Sequence, residues 1–252
     1  MVECRSFYRL IAFTILMLLA LANTSVAADT NQSNDDDEYN YAYESIYDPY
    51  EDTNRAIYDF NKTLDTYFLA PIVYGYRAVV PELGRQGISN IFDNISEPVT
   101  FFNAILQGDA EYAATTFWRF TINSTLGAAG IMDVASAAGM EERTEDFGQT
   151  LGVYGVKPGA YIMLPFFGPS NVRDAGGRAV DAVSNPLIYG IDDEVYLVYK
   201  AMDIVNGRDA TLDLTIEIER TSLDPYAALR SLYMQNRGDR IRNGTPRAPA
   251  LD

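Results

Sequence analysis

The sequence predicts an all-α protein built from multiple short amphipathic helices, and three observations carry that reading. Apolar residues recur at three- and four-residue steps through most of the chain. Asp, Thr and Pro stand where such runs begin, and Gly or Pro where they end. Only residues 160–164 (AYIML) read as a strand, and the sequence offers that strand no partner.

Taken in order, Asp52 or Thr53 caps a helix with Ile57, Phe60, Leu64 and Phe68 on one face, stopping at Pro71. Pro81 opens a second, with Ile88, Ile91, Phe92 and Ile95. Pro98 opens a third, with Phe101, Phe102, Ile105 and Leu106, closed by Gly108. Asp109 caps a fourth that carries Tyr112, Phe117, Trp118 and Phe120. Between them and the later helices lies LGAAGIMDVASAAG, residues 126–139, small and apolar throughout. Such a stretch serves as a hinge, as tight helix packing in lipid, or as a close-packed turn. Val195, Tyr199 and Met202 mark a helix ending near Gly207, and Leu212 and Ile216 mark another. Asp224-Pro225 starts the last, with Leu229, Leu232 and Tyr233.

Both ends differ from this body. Residues 1–27 read as a signal peptide: Arg5 and Arg9 precede an apolar run over residues 10–22, and Ser25 and Ala27 fit cleavage before Ala28. The run is shorter than the roughly 20 residues a spanning helix needs. A buried N-terminal helix is the alternative. Residues 28–47 are an acidic lead with Asp35, Asp36, Asp37 and Glu38, expected to be a disordered tether. It lacks the spaced ligands and central Gly of a calcium loop. The helical domain is expected over residues 48–237, followed by a polar tail, residues 238–252.

The composition removes whole classes of function. With Lys+Arg 19 against Asp+Glu 35 the net charge is −16, the wrong sign for nucleic acid. There is no His, so imidazole bases and ligands are out. The single Cys, Cys4, lies in the segment expected to be removed, which leaves no disulfide, no thiolate metal site and no acylated Cys at the junction. No nucleophile elbow, P-loop or dinucleotide fingerprint occurs. The carboxylate pairs Glu141/Glu142 and Asp192/Asp193 read as helix-start charges rather than catalysts. Neither enzyme chemistry nor a cofactor is expected.

Several blocks, in order, resemble the VacJ (MlaA) family of outer-membrane phospholipid-transport proteins. They are DPYEDTNRAIYDFN (48–61), GISNIFDNISEPVTFFNAILQGD (87–109), RFTINSTLGAAGIMDVA (119–135), ERTEDFGQTLGVYGV (142–156), YIMLPFFGPSNVRDAGG (161–177) and LDPYAALRSLYMQNR (223–237). The resemblance implies a ring-shaped helical body lying in the periplasmic leaflet of the outer membrane, with a central amphipathic channel. It implies a porin trimer and a soluble periplasmic lipid carrier as partners, and removal of misplaced phospholipid from the outer leaflet. The sequence departs from the family in lacking a Cys at the cleavage junction.

Physics asks for the same parts. A charged headgroup must not meet hydrocarbon unshielded, so a transporter needs a polar-lined route with apolar walls and no catalytic group. The candidate route and gate residues are Asn123, Gly127, Gly130, Ile131, Met132, Asp133, Arg143 and Glu145. Asn54, Arg55, Asn61, Glu97, Pro98, Gly148 and Gly152 form the expected structural set. A periplasmic protein that only scaffolds porins is the alternative reading, and a carboxylate hydrolase a more remote one.

Overall fold

The computed structural model describes residues 46–185 and 190–243, so the signal peptide, nearly all of the acidic lead and most of the tail lie outside the described residues. Helix α1 (Glu51–Leu64) runs through a π-helical turn, Asp65–Leu69, directly into α2 (Ala70–Val79). Helices α3 (Glu82–Gln107) and α4 (Ala110–Thr125) form a hairpin about Gly108, whose φ of 80° lets the chain reverse. Two short helices follow, α5 (Val134–Ala137) and α6 (Phe147–Val153). Strands β1 (Tyr161–Leu164) and β2 (Gly168–Asn171) lead into α7 (Val172–Ser184). The 29-residue α8 (Asp193–Thr221) and α9 (Pro225–Ile241) complete the fold.

Mostly helical is therefore right, but four expectations need correction. Pro71 does not stop its helix: the chain stays helical through the π turn Asp65–Leu69, whose 1→6 bonding brings Ala70 N–H to Asp65 O, and Pro71 is the second residue of α2. Pro98 sits inside α3 rather than at a start. Packing against α4 holds the helix on both sides, through Asn94 to Ser124, Glu97 to Arg119, and Ala104 against Tyr112 and Ala113. Gly207 likewise lies within α8. Short pieces read from Pro and Gly are thus joined into long rods.

The fourth correction concerns the strand. β1 pairs antiparallel with β2, Tyr161 opposite Asn171 and Leu164 opposite Gly168. The partner reads GPSN, turn chemistry without alternation, which concealed it. The second edge of β1 is covered by a helix. Asn54 bridges Tyr161 O (3.1 Å) and Met163 N (2.8 Å), and Asn61 bridges Leu164 O (2.9 Å) and Phe166 N (2.9 Å). Seven helical residues advance about 10.5 Å and three strand residues about 10 Å, so two amides two turns apart meet the strand in register.

The distribution of polarity is inverted. Among the described residues, sixteen polar or charged side chains are buried and only eleven apolar ones, while thirty-two large apolar side chains are exposed. The apolar clusters are small: Ala70, Val73 and Leu212; Ala104, Tyr112 and Ala113; Tyr161, Met163 and Tyr226. Exposed Tyr67, Phe68, Ile72, Tyr74 and Val79 on α1–α2, Phe102, Ile105, Leu106, Phe117 and Trp118 on α3–α4, and Leu197, Val198 and Ile204 on α8 cover the outside. Apolar exposure on this scale marks an interaction surface rather than a water-facing one. No helix among the described residues is long and apolar enough to cross a membrane.

Candidate functional site

Helix α3 presents Asn90, Asp93, Asn94 and Glu97 at three- and four-residue spacing, and α4 presents Arg119 and Asn123 one turn apart. These faces meet around a small polar recess that Asp133 and Glu142 complete, just large enough for one water. Arg119 is buried at its centre. Its Nε donates to Glu97 Oε1 (2.9 Å), its Nη1 to Ser136 Oγ (2.9 Å) and the Met140 carbonyl (3.2 Å), and its Nη2 to Asp133 Oδ2 (3.3 Å). Burial pushes the Glu97 carboxyl up to about 7 despite the facing guanidinium. Burial also pushes Asp93 to about 6, helped by the charge on Glu142. Burial opposes ionisation of Asp133 too, but bonds from Ser136 and Asn123 and the charge of Arg119 together hold it at about 2.

Asn123 ties the following loop to this node. Its Nδ2 donates to Asp133 Oδ1 (2.9 Å), its Oδ1 accepts from Ala135 N (3.0 Å), and its carbonyl accepts from Gly130 N (2.8 Å). The loop turns through three successive left-handed residues, Ala128 (φ 53°), Ala129 (φ 61°) and Gly130 (φ 92°). Two alanines in that region store strain of about 1–2 kcal/mol each. Gly127 packs where a Cβ would lie 2.2 Å from the Met132 carbonyl, and one on Gly130 would lie 2.9 Å from Asn94 Cβ. Asn90 Nδ2 donates to the Ile131 carbonyl (2.9 Å), pinning the loop to α3. Leu126, Ile131 and Met132 are left exposed at its surface.

Arg143 and Glu145 belong to a separate set of contacts. Arg143 stacks on the Tyr112 ring, 3.7 Å from its centroid, and pairs with Asp109 (3.1 Å). Buried Glu145 accepts from Gln107 (2.9 Å), and burial raises its carboxyl above the ordinary value. Gln107 also reaches Thr150, which donates to Asn103. Beyond them, Arg237 of α9 holds Asp146 (2.5 Å) and Asp174 (2.9 Å) together, and Tyr233 donates to Asp174 (2.7 Å). Gly148 lies under this node, where a Cβ would reach Arg237 Nη2 at 2.5 Å, and Gly152 makes room for Ile241. Arg55 makes a two-pronged bond to Asp224 (3.1 and 2.6 Å) at the start of α9.

The structure thus brings Asn123, Gly127, Gly130, Ile131, Met132 and Asp133 together with Glu97, and places Asn54, Arg55 and Asn61 around β1 and the start of α9. Pro98 contributes no polar group. Sequence reasoning passed over Arg119, Asn94, Asp93, Arg237 and Asp174 as individual residues. The signal existed: Asn90, Asp93, Asn94 and Glu97 recur with the same period as the apolar residues of α3, a polar stripe aimed at a partner. Among the described residues no group of three His, Cys, Asp or Glu is placed to hold a metal ion.

Comparison with known proteins agrees with the fold. The MlaA lipoprotein family matches residues 46–240. The intermembrane phospholipid transport system lipoprotein MlaA of Haemophilus influenzae is 34% identical over 236 residues, 92% of each chain. Its Escherichia coli K12 counterpart is 38% identical over 201 residues, 78% of this chain and 79% of that one. An uncharacterized protein of Rickettsia bellii is 36% identical over 231 residues, 88% of this chain and 90% of its own. A solved structure described as "Structural basis for maintenance of bacterial outer membrane lipid asymmetry" superposes with a TM-score of 0.68 at 36% identity, covering 77% of this chain and 98% of that one. The family's description as lipoproteins runs against the expectation of an unacylated start, which rested on the absence of a Cys at the junction before Ala28; that junction lies outside the described residues. By the extent of these matches, the chain belongs to the MlaA lipoprotein family.

Proposed function

We propose that this chain carries phospholipid between membranes and so maintains the lipid asymmetry of the outer membrane, the activity for which its relatives are named. It is a transport protein rather than an enzyme. The observation that carries this reading is the inverted polarity, with apolar side chains outside and charged pairs inside. Apolar faces on α1–α2, α3–α4 and α8 hold the body in one leaflet, since none of the described helices can cross both. The buried polar nodes border a channel through a ring-shaped body, along which the headgroup passes while the acyl chains follow the apolar walls. A porin trimer seats the body, and a soluble periplasmic carrier receives the lipid. The gate is the loop bearing Gly127, Gly130, Ile131, Met132 and Asp133, latched by Asn123; Arg143 and Glu145 fix the segment beyond it.

Two measurements test this. Protein extracted in detergent should carry phospholipid detectable by mass analysis, and a lipid-free preparation from an intact envelope would favour a porin scaffold. The gate has its own test. An ideal Cβ on Gly87 lies 3.2 Å from Ile131 Cγ2, one of the places the sulfur of Ile131→Cys can take, which makes Gly87→Cys with Ile131→Cys the pair to cross-link. Oxidised, the pair should abolish transport, and reductant should restore it. Full transport by the oxidised form would remove the loop from the mechanism.

A further inference from the structure

The recess between α3 and α4 has a chemistry that its own residues leave incomplete. Four carboxylates, Asp93, Glu97, Asp133 and Glu142, surround one cation, Arg119. Arg119 spends its hydrogen bonds on Glu97 Oε1, Asp133, Ser136 and Met140. Two lining residues keep an oxygen buried with no partner: Glu97 Oε2 and Asn94 Oδ1, in side chains 5% and 6% exposed. They stand three residues apart on α3, hence on the same face. Unsatisfied buried acceptors call for a donor. A water, or the proton that Glu97 holds below about pH 7, would satisfy these oxygens but leave the remaining carboxylates in excess over Arg119. A small cation would also answer the excess of carboxylates, yet the described residues hold no group of three acids placed for a metal ion. The partner that answers both is a cation that donates directed hydrogen bonds through a head about the size of a water.

We propose that this recess binds a primary ammonium group, which donates to Glu97 Oε2 and Asn94 Oδ1 and is balanced by Asp93 and Glu142. The lipid form of this ligand, an ethanolamine headgroup, rests on the transport reading above; a free primary amine would carry the same chemistry. A trimethylated ammonium has no N–H to donate and is too large for a water-sized space, so choline headgroups are excluded.

Full-length protein in detergent, with its asparagine side-chain amides followed by NMR, is titrated with methylammonium and with tetramethylammonium chloride. Methylammonium should shift the Asn94 amide saturably, and tetramethylammonium should not. Asp93→Asn and Glu142→Gln should each weaken the response about tenfold, the loss of one interaction with a charged partner. Glu141→Gln, outside the recess and exposed, should leave it unchanged. In a second arm the protein is offered equal ethanolamine and choline phospholipids of identical acyl chains, and bound lipid is weighed. Several-fold ethanolamine enrichment, lost in Asp93→Asn, assigns the site to the headgroup. Methylammonium binding without lipid preference assigns it to a free amine. Methylammonium binding with no lipid bound at all leaves the site standing and sinks the transport reading. Equal response to both ammonium salts, or none to either, overturns the proposal.

Discussion

Asn54 carries more of the fold than its size suggests. It satisfies both a carbonyl and an N–H on the buried edge of β1, donates to Asp48 as well, and is itself buried. Asn54→Ala should therefore lower stability by about 3 kcal/mol, two buried groups left unpaired. Asn61→Ala, where the Phe166 N–H is exposed, should lower it by about 1 kcal/mol. Thermal unfolding of the two variants in one detergent compares them directly. Glu97 adds a pH dependence. Its folded carboxyl titrates near 7 against an ordinary 4.5, so the folded state binds more protons across that window, and stability falls as pH rises from 4.5 to 7. Asp133, held near 2, contributes in the opposite sense, its stabilisation lost only as pH drops below 3.8 toward 2. Glu97→Gln should flatten the upper window, removing on the order of 2 kcal/mol of pH-dependent stability, and melting temperatures between pH 4.5 and 7.5 read this out. An unchanged profile would place the proton elsewhere.

At the scale of elements, one device recurs four times. Asp109, Asp133, Asp146 and Asp224 each cap a helix, accepting from Tyr112, Ser136, Gln149 and Ala227, and each also receives an arginine from a distant segment: Arg143, Arg119, Arg237 and Arg55. A cap and an ion pair on one carboxylate fix both the start of a helix and its docking. The caps at Asp109 and Asp224 were legible from sequence because each precedes a helical apolar run. Their arginines were not, since 34 residues separate Asp109 from Arg143 and 169 separate Arg55 from Asp224. Long helices were misread for a related reason: Pro98 and Gly207 are local stop signals that tertiary packing overrides. The β2 strand escaped because GPSN pairs through backbone alone. Close approach at the α6–α7 crossing gives a further expectation. A Cβ on Gly177 would lie 2.4 Å from Gly148 N, so Gly177→Ala should destabilise by about 1–3 kcal/mol or force the helices apart.

The whole molecule is organised against the usual rule, with charge inside and hydrocarbon outside, as the proposed seat in lipid requires. Composition concealed it, because the same residues could have built a water-soluble core; which side of each helix they occupy is a property of packing. Leu197, Val198 and Ile204 of α8 are exposed. Val198→Asp should thus leave unfolding in detergent nearly unchanged while weakening retention in membranes washed with carbonate, since a charge in the hydrocarbon costs roughly 3 kcal/mol. Equal retention of the variant would place that face in water. The central claim, that this body moves phospholipid to keep the outer leaflet clear of it, is tested most directly by phospholipid exposed on the surface of cells with the chain deleted and restored. The account predicts that exposure rises on deletion and returns to its original level when the intact chain is supplied. Exposure that stays constant through deletion and restoration would contradict it.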